Sequence, residues 1–195
     1  IMFTKKALSL RPNYPVYHHS LGNIYSYLNQ NTQAIKYFNI AIDLDPENYM
    51  FNNSLAKLYQ KTGKYDKALD IYQKLLQLLE ADENRDKKAY VDTLESIGSV
   101  HREMNNYSTA ETYYKKIVEF QKDLFGDKSN EYFEAYVDLG ELYFFAAKRE
   151  EAAKVFFRSW KMRPEIKEKN SMKYARVLAD LGALATILGE HNKAE

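Results

Sequence analysis

SLGNIY, residues 20–25, is answered by SLAKLY at 54–59, SIGSVH at 96–101, DLGELY at 138–143 and DLGALA at 180–185. The small residue of each stretch falls at Gly22, Ala56, Gly98, Gly140 and Gly182, so the spacings are 34, 42, 42 and 42 residues. A fixed period of roughly 20–50 residues marks stacked repeats, in which each copy buries an apolar face that it cannot bury alone.

Outward from Gly22, Tyr17, Leu21, Ile24, Tyr25 and Leu28 recur at steps of three and four, the period that lines one helix face. The polar break NQN follows, then a second run of Ala34, Ile35, Phe38, Ala41, Ile42 and Leu44, closed by Asp45-Pro46. The same helix-break-helix pattern returns around Thr62-Gly63 and Asn105-Asn106. It returns again in FEAYVDLGELYFF followed by AAKVFFRSWKM, which runs to Pro164, and last in SMKYARVLADLGALATIL before Gly189. No stretch calls for a strand, and the expected fold class is all-α, built from antiparallel helix pairs. Ser129 and Ser171 are expected to cap the helices that follow them, and Gly126 to end one. Ser108 and Glu111 spell a competing S-x-x-E capping box, yet the repeat phase places both inside a helix that begins near Asn106.

The small residues give the packing. Ala34, Ala68, Ala110 and Ala152 lie 12 residues after Gly22, Ala56, Gly98 and Gly140, and Ala194 holds the same phase. A small group on each of two facing helices allows close approach, with Tyr25, Phe38, Tyr59, Tyr72, Tyr143 and Phe156 filling the flanks. The eight residues added at the change of period equal about two helical turns. They predict longer helices from about Tyr49 onward, and not a flexible linker.

Composition removes several function classes. With 28 Lys and Arg against 27 Asp and Glu in 195 residues, bulk charge favours neither a polyanion nor a membrane surface. Cysteine is absent, which excludes disulfides, thiolate catalysis and cysteine-ligated metal, and fits a reducing, cytoplasmic setting. No apolar run approaches the length of a membrane span, and IMFTKKALSLRP lacks the pattern of a secretory signal. The chain opens inside a recognisable repeat, so its first residues are read as the tail of a preceding one.

These phases resemble the tetratricopeptide repeat family. The first repeat offers His18, Leu21, Gly22, Tyr25, Ala34, Phe38, Ala41 and Pro46 at the family's signature positions. The second offers Leu55, Ala56, Tyr59, Ala68, Tyr72 and Leu75. The third offers Ile97, Gly98, His101, Ala110, Tyr114 and Ile117, and the fourth Leu139, Gly140, Tyr143, Ala152, Phe156, Ser159 and Pro164. His18 stands where the family often has tryptophan, and His101 and Ala185 replace its usual tyrosine. The 42-residue version is similar to arrays of kinesin light-chain-like proteins and of bacterial peptide-responsive regulators. The resemblance implies one array: a repeat tail at 1–14, repeats at 15–48, 49–90, 91–132 and 133–174, and a partial repeat at 175–195. It also implies a right-handed superhelical solenoid whose first helices line a concave face.

On that face the resemblance puts candidate peptide-binding residues His19, Asn23, Tyr27, Asn53, Lys57, Lys61, Asp92, Glu95, Ser99 and Arg102. Glu134, Asp138, Glu141, Phe144, Phe145 and Asp180 continue the set. Amides, hydroxyls and two lysines come first and a mostly acidic track later, which predicts a partner protein or peptide with basic or amide-donating groups. A groove for a terminal carboxylate fits poorly, because Asp92 occupies a phase where that groove carries lysine. On the convex side Phe156, Phe157 and Trp160 of VFFRSW cluster, and some must pack between repeats, so core duty is their default reading; a Trp160 left outside would mark a subunit contact or the continuation of the array.

Chemistry finds little purchase. Asp138 and Glu141 share a helix face at spacing three, but an acid–base pair also needs a pocket and separated pKa values. His18, His19, His101 and His191 form no H-E-x-x-H or other ligand cluster, and single glycines build no phosphate cradle. Lys57, Lys61, Lys64 and Lys67 form a basic strip, yet the aromatic residues at repeat phases serve the core better than base stacking, which disfavours nucleic acid. The sequence therefore predicts a non-enzymatic protein-binding scaffold or adaptor module of a larger protein, with no cofactor, metal or membrane. The alternative is a regulatory or dimerisation region that controls an effector domain, in response to a short peptide, with self-association as its signature.

Overall fold

The computed structural model describes residues 2–162, 175–184 and 186. Their fold is an all-α repeat of antiparallel helix pairs. The helices are α1 (Met2–Leu10), α2 (Pro15–Tyr27), α3 (Asn31–Leu44), α4 (Tyr49–Lys61), α5 (Tyr65–Ala81), α6 (Lys87–Glu103), α7 (Tyr107–Phe125), α8 (Asn130–Phe145) and α9 (Arg149–Met162). Further helical residues run over 175–184. Among the described residues, no helix is long and apolar enough to cross a membrane.

Each tight turn is made the same way. Asn29, Gly63, Asn105 and Ala147 hold the left-handed region, at φ 57, 72, 60 and 57°. Each donates its amide three residues back, to Ser26, Gln60, Arg102 and Phe144. The following residue donates five back: Gln30 to Tyr25, Lys64 to Tyr59, Asn106 to His101 and Lys148 to Tyr143, at 2.8–2.9 Å. This double closure satisfies carbonyls that the helix end would otherwise leave open. Three of the four positions are the breaks read from sequence; Ala147 carries no breaker signal and follows the phase of its neighbours.

Helix starts follow local chemistry. Pro15 sits in the first turn of α2, where its missing amide costs nothing. Ser129 Oγ accepts the Tyr132 amide at 3.1 Å, as expected. Asp86 Oδ1 accepts the amides of Lys88 and Ala89 at 2.9 and 3.1 Å, a cap on α6 that the run DENRDKK hides among charges. Helix α7 begins at Tyr107 after Asn106, so Ser108 and Glu111 lie inside it and the capping box is not used. Ser171, Pro164, Gly189, His191 and Ala194 lie outside the described residues.

The chain divides into two compact units, 1–100 and 101–195. In the first, α2 packs on α3, α4 on α5, and α4 also on α3 and α2. Ala34, Ala56 and Ala68 are fully buried, and a Cβ added to Gly22 would lie 2.5 Å from the Phe38 ring. Phe38, Leu55 and Leu58 form the core with Ala34, flanked by Tyr25, Ile35 and Tyr59. The Tyr49 hydroxyl donates to the Ala89 carbonyl and accepts from Thr93 Oγ1, both at 3.2 Å, which fixes α6 against α4. In the second unit α8 packs on α7 and α9, and a Cβ on Gly140 would meet Phe156 at 2.7 Å and Val155 at 2.9 Å. Gly182 is exposed, with nothing among the described residues within 4 Å of such a Cβ; Ala194, expected to face it, is not one of them.

Two expectations need correction. Helix α4 has 13 residues, as α2 has, so lengthening does not begin at Tyr49; it begins with α5, at 17 residues against 14 for α3. Helix α6 then gains a turn at its start, before Gly98, because first helices lengthen away from the fixed tight turn. The second correction is at VFFRSW. Phe156 is fully buried, whereas Phe157 is 49% and Trp160 41% exposed.

Candidate functional site

Within the first unit the candidate residues lie on α2, α4 and α6. Direct packing of α2 on α4 brings the first two sets together, and Gln60 Nε2 donates to Ser99 Oγ at 3.3 Å to join α4 to α6. Asn23, Lys57 and Lys61 are exposed and Tyr27 is 86% exposed, while Asn53, Asp92, Glu95 and Ser99 are half-buried. Lys61 Nζ donates to Asn29 Oδ1 at 3.1 Å, tying the end of α4 to the turn after α2.

His19 departs from the open-face expectation. It is buried, its ring centroid 5.6 Å from that of Phe38 and 5.0 Å from that of Phe51. Its Nε2 lies 2.8 Å from Ser54 Oγ, and Asn23 sets its amide nitrogen against the ring nitrogens at 3.4–3.5 Å. Burial lowers its pKa below the ordinary histidine value, which favours the neutral ring. His19 therefore cements α2 to α4 beneath the face, and Asn23 covers it.

In the second unit Arg102, Glu134, Asp138, Glu141, Phe144, Phe145 and Asp180 are the candidates. Phe144 and Phe145 meet edge to face at 6.3 Å, and the Arg102 guanidinium lies 5.5 Å from the Phe145 centroid. Glu134 is exposed; Asp138 and Asp180 are half-buried. Glu141 is engaged: its Oε1 accepts from Arg176 Nε at 3.0 Å, and its side chain is 11% exposed. Burial raises the Asp180 pKa, against the opposing pull of Arg176. The acidic track is thus partly neutralised from within, because Arg176 stands 35 residues after Glu141 at a neighbouring phase.

A polar joint escaped the sequence reading. Glu111 of α7 accepts from the Tyr143 hydroxyl at 3.0 Å and pairs with Lys115 and Lys148, each at 2.7 Å. Burial alone would raise its pKa, but the hydrogen bonds from Lys115, Lys148 and Tyr143 outweigh it and hold the carboxyl at about 2. The available signal was phase: Ile35 occupies the same place in the first repeat, so Glu111 substitutes charge for an apolar contact. Among the described residues no cluster of three or more His, Cys, Asp or Glu could hold a metal ion. His101 stacks on Tyr113 at 5.9 Å, a packing role.

Comparison with known proteins agrees with these phases. Tetratricopeptide repeat models match residues 15–48, 48–123 and 90–165. Tetratricopeptide repeat protein 37 of Xenopus laevis is 26% identical over 125 residues, 63% of this chain but 8% of that protein's length. The crystal structure of BtubC (BKLC) from P. vanneervenii superposes with a TM-score of 0.76 at 19% identity, covering 98% of this chain and 82% of the other. A tetratricopeptide repeat protein from Parabacteroides merdae gives a TM-score of 0.68 at 19% identity, with 98% and 66% coverage. At such identities the solved structures speak for the fold alone. The family match spans most of the sequence and coincides with the left-handed turns and small-residue contacts described above: the chain belongs to the tetratricopeptide repeat family.

Proposed function

We propose that the protein binds a polypeptide noncovalently along the face formed by its first helices, as an adaptor or scaffold module in a cytoplasmic setting. The observation that carries this reading is the first unit's face. Asn23, Tyr27, Lys57 and Lys61 stand exposed on two directly packed helices, over a floor of buried His19 and Phe51. Amides and ammonium groups on a rigid floor suit a peptide backbone and acceptor side chains, and Tyr27 offers apolar area at low entropy cost. In the second unit, Glu134 and Asp138 earlier on α8 and Phe144 and Phe145 at its end suit a partner with basic and apolar groups. The fold supports this role in general: repeat surfaces of this kind carry protein and peptide contacts on stacked, rigid helices.

The test is titration of the chain with a fluorescent peptide library, followed by affinity measurement on the best binder for Asn23→Ala with Asn53→Ala, and for Asp138→Asn with Glu141→Gln. The first pair is expected to weaken binding by about tenfold or more, as lost buried hydrogen bonds do. Unchanged affinity for both pairs at low salt rejects the face as the site; unchanged affinity for the second pair alone rejects the acidic contribution.

A further inference from the structure

The outer face of α9 breaks the pattern of its own repeats. The position of Phe157 is taken by Asn39, Gln73 and Lys115 in the three preceding repeats, and all three are exposed. The position of Lys161 is taken by Asp43, Gln77 and Glu119. Here alone an aromatic ring replaces a polar residue at a solvent position, and a cation replaces an acidic or neutral one four residues later. The two touch: Lys161 Nζ lies 4.6 Å from the Phe157 centroid, and Trp160 lies 5.6 Å from the same ring.

Glu150, Lys154, Phe157 and Lys161 follow one another at intervals of four, three and four, so they share one stripe of the helix, and all are exposed. The stripe is acidic at its start and basic at its end, with a lysine and an aromatic ring between. Turned against a copy of itself about a two-fold axis, an antiparallel pair centred between Val155 and Phe156 sets Glu150 of each copy opposite Lys161 of the other. It sets the alkyl stem and ammonium of Lys154 against the partner copy's Phe157 ring. A wholly basic stripe would repel its copy; this one is self-complementary.

We propose that the outer face of α9 is a self-association surface, on which a second copy of this chain docks antiparallel through Phe157 and the Glu150–Lys161 pairs. A contact of one helix on one helix is small, so the dimer is weak and salt-sensitive.

The experiment is sedimentation velocity of the 195-residue chain from about 2 to 200 μM, the range proper to a small interface, at low and high salt. The expected result is a weight-average mass that rises from 22.9 kDa towards twice that value. Phe157→Gln, which installs the residue type of position 73, is expected to weaken association about tenfold or more. Lys161→Glu alone, which sets like charges opposite one another, is expected to do so about tenfold. Glu150→Lys combined with Lys161→Glu restores the pairing with charges exchanged, to within about threefold of the original. Circular dichroism of each variant checks that the helices persist. A monomer at every concentration overturns the proposal and leaves the face to a different partner. A dimer indifferent to Phe157→Gln overturns it too, as does a double variant no stronger than Lys161→Glu.

Discussion

Lys148 Nζ stands 2.7 Å from Glu111 Oε2, across 37 residues of sequence, and joins the turn before α9 to the first turns of α7. The other carboxylate oxygen takes the Tyr143 hydroxyl and Lys115. Glu111 is 18% exposed while its lysines are 54% and 41% exposed, so solvent screens the cations more than the anion. Glu111→Gln keeps a partner for Tyr143 and loses both ion pairs, with an expected cost of about 1–2 kcal/mol. Urea denaturation at neutral pH measures it.

The same carboxyl sets an acid limit. Its folded pKa of about 2 lies below the ordinary 4.5, so its stabilisation is fully present above about 4.5 and is lost as pH falls towards 2. The Glu111→Gln variant is expected to converge on the parent in urea midpoint across that window. A difference that persists unchanged at pH 2 refutes the assignment.

His19 gives a second pH dependence. Its folded pKa lies below the ordinary 6.5, so the unfolded chain takes the proton first and stability drops as pH falls below about 6.5, until the buried ring itself protonates. His19→Gln is expected to flatten the slope between pH 7.5 and 5.5, read as the change in urea midpoint relative to the parent.

Three of the four glycines at the repeated small position should not respond alike to alanine, with Gly22 and Gly140 opposed to Gly182. Gly22→Ala and Gly140→Ala force a Cβ to within 2.5 Å of Phe38 and 2.7 Å of Phe156, and overpacking costs about 1–3 kcal/mol. Among the described residues nothing lies within 4 Å of a Cβ on Gly182, and Gly182→Ala in its helix is expected to stabilise by up to about 1 kcal/mol. Thermal unfolding of the three variants checks the order.

At the tight turns the exchange runs the other way. Gly63 has φ 72° with no neighbour within 4 Å, so Gly63→Ala costs about 1 kcal/mol from backbone strain alone. Ala147 already bears that strain at φ 57°, and Ala147→Gly is expected to raise stability by up to about 1 kcal/mol. Equal effects of the same sign at both sites would refute the account.

Periodicity alone determined that the chain is helical, where its turns fall and which small residues meet large ones. Each of these is set by neighbours within a helix turn or by the repeat phase, as with Gly22 against Phe38 and the left-handed Asn29 and Asn105. Tertiary structure decided what happens where side chains from different repeats converge. It buried His19 at the joint of α2 and α4, gave Glu141 to Arg176, and assembled Glu111, Tyr143 and Lys148 into one cluster. Phase places a residue on a helix face, but exposure and charge pairing depend on what the neighbouring helices bring to the same few ångströms, and that is a property of distance in space rather than in sequence.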